Sequence, residues 1–128
     1  MNRLLFNWKA QNAHGLHSPL IYQLYTEVIN PAYQKKGDFL ETLYKSLLDF
    51  FETYPLANVQ VIRVEGEIDL TNNSALYLIP NIRSHSGQQA WKELIKSPTI
   101  IFSVELYELG LLFMFPKAPK QDFILKKS

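Results

Sequence analysis

Apolar positions recur at helical spacing through the first half of the chain and at strand spacing through much of the second. Leu4, Leu5 and Trp8 line one side of a short amphipathic helix over residues 3–10. Leu20, Leu24 and Val28, widened by Ile21, Tyr25 and Ile29, predict a second helix from Pro19 to Ile29. Ser18 is its N-cap, and Pro19 takes the first helical position, where a missing N–H costs nothing. Asn30-Pro31 is expected to stop it. Phe39, Leu43, Leu47, Phe50 and Tyr54 carry a third helix, opened by an Asp38/Glu41 capping box and ended by Pro55.

Beyond residue 56 the period shortens. Val59, Val61 and Arg63 alternate with Gln60, Ile62 and Val64, and this β-branched stretch predicts a strand. "ALYLIP", residues 75–80, is a continuous apolar run, as expected of a central strand covered on both faces. "EIDL", residues 67–70, could add a short strand. Ser86 and Gln89 form a second capping-box pattern, opening a helix with Ala90, Trp91, Leu94 and Ile95 inward. "TIIFSVELY" and "LGLLFMF" read as a hairpin around Glu108–Gly110, and "DFILKK" as a final strand. The expected fold is α/β: residues 1–56 mostly helical, residues 57–128 strand, strand, helix and hairpin, in one domain with a mixed sheet.

A chain of 128 residues with 47% hydrophobic and 13% aromatic content can bury one sizeable core. Its formal charge of +1 creates no global field favouring nucleic acid or an anionic membrane. Seven acids against two bases fall within residues 38–69, and four lysines against one acid within residues 117–128. The absence of cysteine removes disulfides, thiol nucleophiles and thiolate-bound zinc. Without a signal-peptide pattern or a membrane-length apolar run, the expected location is cytoplasmic.

Candidate chemistry is sparse. His14 and His17 stand three apart just before Ser18-Pro19 and invite a metal or acid-base reading, yet no second ligand cluster accompanies them. The reading favoured here is structural, with an imidazole packed beneath the Ser18-capped helix and Gly15 supplying a backbone geometry other residues resist. Ser84 or Ser86, His85 and Glu105 make a triad only on paper, without a nucleophile elbow. Glu65, Glu67 and Asp69 alternate, so on an extended segment they would share one side, as a cation site or, the favoured reading, as a solvated acidic edge. Phe113 and Phe115 share a strand face and form a candidate partner surface if that face is exposed. Tyr22, Tyr25, Tyr77 and Trp91 are the candidates for an apolar small-ligand pocket.

Two separated stretches carry a resemblance. "KAQNAHGLHSPLIYQLYTEVI" resembles the N-terminal signature of a family of small bacterial class I methyltransferases that use S-adenosylmethionine and open with His-Gly-x-His-Ser-Pro. "NSALYLIPNIRSHSGQQAWKELIKSPTIIFSVELYELGLLFM" is similar to that family's late strand, helix and terminal hairpin, with Ala90-Trp91, Pro98 and Leu109-Gly110-Leu111 in the corresponding places. The matches cover residues 9–30 and 73–116, about half of the chain. They mark His14, Gly15, His17, Ser18, Pro19 and Trp91 as signature residues with structural roles.

The resemblance implies a Rossmann-like fold and S-adenosylmethionine as cofactor, but the cofactor half is shortened. Only residues 31–72 lie between the matches, and they contain no glycine turn of the kind that lets a backbone approach the cofactor. The family's paired aspartates at the end of the late strand correspond to Ile79 and Pro80. No catalytic, cofactor-binding or metal residue therefore carries over. The expectation is a truncated, non-catalytic methyltransferase-like domain acting in binding or assembly, with a homodimer through an exposed sheet edge or the hairpin. Two alternatives stay open: a methyltransferase completed by a partner chain, and a small-ligand-binding domain.

Overall fold

A computed structural model describes residue 3, residues 18–54 and residues 58–127. The helix expected over residues 3–10 lies outside these apart from Arg3, and so do His14, Gly15 and His17. Ser18 begins the described body as expected: its hydroxyl accepts the Ile21 N–H at 3.3 Å, and Pro19 occupies the first turn of helix α1, Pro19–Leu24.

The chain does not stop at Asn30-Pro31. It runs from α1 through a π-helical turn, Tyr25–Ile29, into helix α2, Asn30–Gln34. A proline inside a helix lacks one donor and pushes its ring against the carbonyl four residues back. Here the Asn30 N–H reaches five residues back to the Tyr25 carbonyl, and this wider turn gives the Pro31 ring its room. Helix α3, Phe39–Thr53, opens with Asp38, whose carboxylate accepts the Leu40 N–H at 3.0 Å. The other half of the expected capping box is redirected, because Glu41 turns to Arg63 and Lys45.

Five strands form one sheet: β1 Gln60–Arg63, β2 Ala75–Pro80, β3 Phe102–Glu105, β4 Leu109–Phe113 and β5 Gln121–Ile124. Their order is β1-β2-β4-β3-β5. Strands β1 and β2 are parallel, β4 runs antiparallel between β2 and β3, and β5 pairs parallel with β3. The sheet therefore does not end in the β3–β4 hairpin. Residues 114–120, with a cis Phe115–Pro116 peptide, carry the chain past β3 to its far side. Residues 67–70 form no strand.

Side-chain alternation sends each strand's two faces to separate cores. Val61, Leu76, Leu78, Phe102, Val104, Leu111, Phe113 and Phe123 join Leu20, Leu24, Leu43, Leu47 and Phe51 of the N-terminal helices. Ala75, Tyr77, Ile79, Leu112 and Met114 meet Trp91 of helix α4, His85–Leu94, on the other side. The result is a mixed open sheet between two helical layers, and β2, buried along nearly its whole length, lies between neighbours as its apolar run predicts. No helix among the described residues is long and apolar enough to cross a membrane.

Two expectations are corrected by this layering. Phe113 and Phe115 do share a face, but it is not a partner surface: they are 0% and 9% exposed. Phe51 of α3 meets Phe115 edge to face at 5.7 Å, so the N-terminal helices already cover this face. Nor do Tyr22, Tyr25, Tyr77 and Trp91 converge on one pocket. Tyr22 is exposed, Tyr25 lies in the core on one side of the sheet, and Tyr77 and Trp91 lie in the core on the other.

Candidate functional site at the ends of β2 and β3

In an open α/β sheet, ligands sit outside the carboxyl ends of parallel strands. Here β2 and β3 run parallel to each other, and their carboxyl ends deliver Arg83 and Glu105 to one place. After β2, Asn81 adopts φ +60° and turns the chain toward α4. The N-cap of α4 is Ser84, two residues earlier than the Ser86 expected from the sequence. Its hydroxyl accepts the Gly87 N–H at 3.0 Å. Gly87 is what admits this tight approach, because a Cβ there would lie 2.0 Å from the Asn81 carbonyl oxygen. Gln88 also donates to the Ile82 carbonyl, pinning the turn.

Arg83 folds from this turn across the end of β3. Its Nε donates to the Tyr107 carbonyl at 3.0 Å, one terminal nitrogen to the Leu106 carbonyl at 2.9 Å, and the other to Glu105 at 3.1 Å. The second Glu105 oxygen accepts the Trp91 indole N–H at 3.2 Å. With side chains 15% and 13% exposed, the pair is well shielded, which is tolerable because both ions are multiply hydrogen-bonded. Beneath Trp91 the sheet carries Gly110, which stands between Ile79 and Glu105 in register. A Cβ at Gly110 would fall 2.2 Å from the indole ring.

The cluster continues around the β3–β4 turn. The Arg83 guanidinium lies 5.1 Å from the Tyr107 ring centroid, and Arg3 lies 4.8 Å from it. Arg3 donates to one Glu108 oxygen at 2.7 Å, while the Tyr33 hydroxyl donates to the other at 2.6 Å. Burial, reinforced by this bond to the carboxylate, pushes the Tyr33 phenol well above its ordinary range. The folded chain thus retains a proton that the unfolded chain releases above about pH 10. Tyr33 should contribute stability below that pH and lose it as the solution becomes more alkaline. Urea titrations at rising pH should show a shallower decline for Tyr33→Phe; parallel declines would contradict the placement of this hydroxyl.

Chemically, this is an arrangement for holding segments together. Both Glu105 oxygens and both Glu108 oxygens accept protein donors, tying β3 and its turn to Arg83, Trp91, Arg3 and Tyr33. The Ser84–His85–Glu105 combination does not assemble: Ser84 caps α4, the His85 ring neighbours Gln89 at 3.4 Å, and Glu105 is bound by Arg83 and Trp91. Among the described residues no group of three or more His, Asp or Glu side chains is placed to hold a metal ion. Glu67 and Asp69 line a shallow surface hollow with Ile68 and Leu70.

A larger hollow lies elsewhere. An open groove of about 780 Å³ runs between α4 and β5, lined by Lys92, Ile95, Lys96, Lys120 and Asp122 among others. Its charges are largely spoken for: Lys96 pairs with Glu93, Lys120 donates to the Ser97 and Ile100 carbonyls, and Asp122 accepts the Ser103 hydroxyl.

Of the signature residues, Ser18 and Pro19 begin α1 and Trp91 anchors the second core. The Arg83–Glu105 pair was missed by the sequence reading. Its two members lie 22 positions apart and carry no common motif; the local signal is an arginine three residues after an apolar strand. Comparison of the chain with protein families, with curated proteins and with solved structures finds no match.

Proposed function

We propose that this chain is a non-catalytic, methyltransferase-like domain of truncated Rossmann-like architecture, which acts by association and not by group transfer. The observation that carries this reading is the filling of the carboxyl end of β2. Arg83 closes onto Glu105 and two carbonyls where a doubly wound sheet would receive a ligand. Two further features support it. Within the second stretch that resembles the family, Trp91 from the late helix rests on Gly110 from the hairpin. After β1, residues 64–74 lead to β2 without a helix, and Gly66, at φ +82°, shapes a turn there. A phosphate- or cofactor-cradling turn has its backbone N–H groups organised by a following helix, and this connection has none.

Isothermal titration of the full chain with S-adenosylmethionine, and separately with S-adenosylhomocysteine, tests the reading. No heat of binding is expected up to millimolar ligand. Saturable binding at micromolar concentration, about 8 kcal/mol of affinity, would overturn it and favour an enzyme.

A further inference from the structure

We infer that the outer edge of β1 is the association surface and that its partner is a second copy of this chain, paired antiparallel about a two-fold axis through Ile62. This rests on the association reading above and names the partner. Strand β1 ends the sheet, with β2 on one side and no described strand on the other. The Gln60 N–H bonds to the Ser74 carbonyl and the Val64 N–H to the Leu78 carbonyl, so even-numbered residues turn their main chain toward β2. Val61 and Arg63 turn theirs outward, as alternation requires. An edge of this kind is a template for another strand.

Geometry selects the register. A two-fold axis perpendicular to the sheet keeps each face continuous, so an outward-facing residue must oppose another of the same face. Opposing Arg63 with its own copy would place like charges together. Asn58, at φ +64°, bends the chain away before Val59, whereas Val64 stays in the ladder with β2. The paired stretch is thus residues 60–64, centred on Ile62. In that register Val61 of each copy opposes Arg63 of the other, all four outward main-chain groups on each side find partners, and the two Ile62 side chains meet at the axis.

The neighbouring helix is suited to the same axis. Arg63 contacts Glu41 and Tyr44 of α3, and one turn further along that stripe lies Leu48, at 41% one of two large apolar side chains that stay exposed among the described residues. Lys45 and Glu52 flank it, so two copies of α3 brought together antiparallel oppose unlike charges. An exposed leucine beside a strand that ends the described sheet, bracketed by complementary charges, fits a self-complementary contact better than a peptide of unrelated sequence.

The chain has no cysteine, so an Ile62→Cys variant carries a single thiol. Directly opposed residues at a non-hydrogen-bonded antiparallel pair have Cα atoms about 4.5 Å apart, within disulfide reach. Sedimentation equilibrium of the full wild-type chain should give the dimer mass. Mild oxidation should cross-link Ile62→Cys rapidly and leave Glu93→Cys, on the far helix, largely monomeric. Leu48→Lys should weaken the dimer at least about tenfold with an unchanged circular dichroism spectrum. A monomer mass at all concentrations, or equal cross-linking of the two cysteine variants, would overturn the inference. A monomer that also ignores S-adenosylmethionine would overturn only the dimer, whereas tight cofactor binding would overturn only the non-catalytic reading.

Discussion

Gly110→Ala is expected to destabilise the fold by about 3 kcal/mol, at the upper end of what overpacking a core costs. The backbone of β4 would tolerate the change, since Gly110 is in an ordinary strand conformation. The obstacle is the indole of Trp91, with ring atoms 2.2 Å and 2.4 Å from where the new methyl carbon would stand. Trp91 is 1% exposed and packed among Tyr77, Ile79, Ile82 and Leu112, so it has little room to retreat. Moving it would also loosen its hydrogen bond to Glu105. The decisive measurement is a double-mutant cycle by urea unfolding: in a Trp91→Leu background the added methyl should cost far less. Equal costs in both backgrounds would mean that Trp91 does not rest on Gly110.

Arg83→Met should be comparably damaging, by about 3–5 kcal/mol, because removing one partner leaves Glu105 as a shielded charge without its counter-ion. Glu105 is 13% exposed, and its remaining partner is the neutral Trp91 indole. Arg83 also holds the Leu106 and Tyr107 carbonyls, so the β3–β4 turn would lose its tie to the end of β2. Replacing both residues, Arg83→Met with Glu105→Met, should recover much of the loss, since the apolar pair needs no compensation. The test is again chemical denaturation, repeated in high salt. A single-variant loss below about 1 kcal/mol, the value of an exposed pair, would show that solvent reaches this cluster.

The proposed association and these two internal clusters are connected through the sheet. Strand β1 is held by β2 on one side and by the contacts of Arg63 with α3 above it. The Trp91 and Arg83 clusters fix the opposite, carboxyl-terminal side of β2 and its neighbours. Strand β1 held in this way is an ordered edge before any partner docks, and an ordered edge loses less backbone entropy on docking than a disordered one.

Much of the architecture was legible in local pattern. The helical stripe of α3, the extended alternation of residues 59–64 and the apolar run of β2 each depend on spacing within one segment, and each lies where its spacing places it. Ser18-Pro19 and Asp38 acted as helix starts for the same reason: a cap bonds to a backbone group only two or three residues away.

What local pattern did not decide was every choice between competing distant partners. Pro31 reads as a stop in isolation, but the buried side chains of Tyr25, Val28, Ile29 and Ala32 hold the helix together across a π turn. Ser84 prevailed over Ser86 as the α4 cap because the turn at Asn81 and the bare Cα of Gly87 fit only that start. Phe113 and Phe115 share a face by simple alternation, yet only the docking of α3 determines that this face is covered. The return of β5 alongside β3, and the closure of Arg83 on Glu105, likewise arise from chain segments meeting across the sheet. The sequence by itself determined most of the helix and strand segments among the described residues and which of their faces are apolar, because those follow from interactions a few residues long. The tertiary structure alone decided which faces meet and which charges pair, because a strand's hydrogen bonds and a helix's apolar stripe accept many partners and packing selects one.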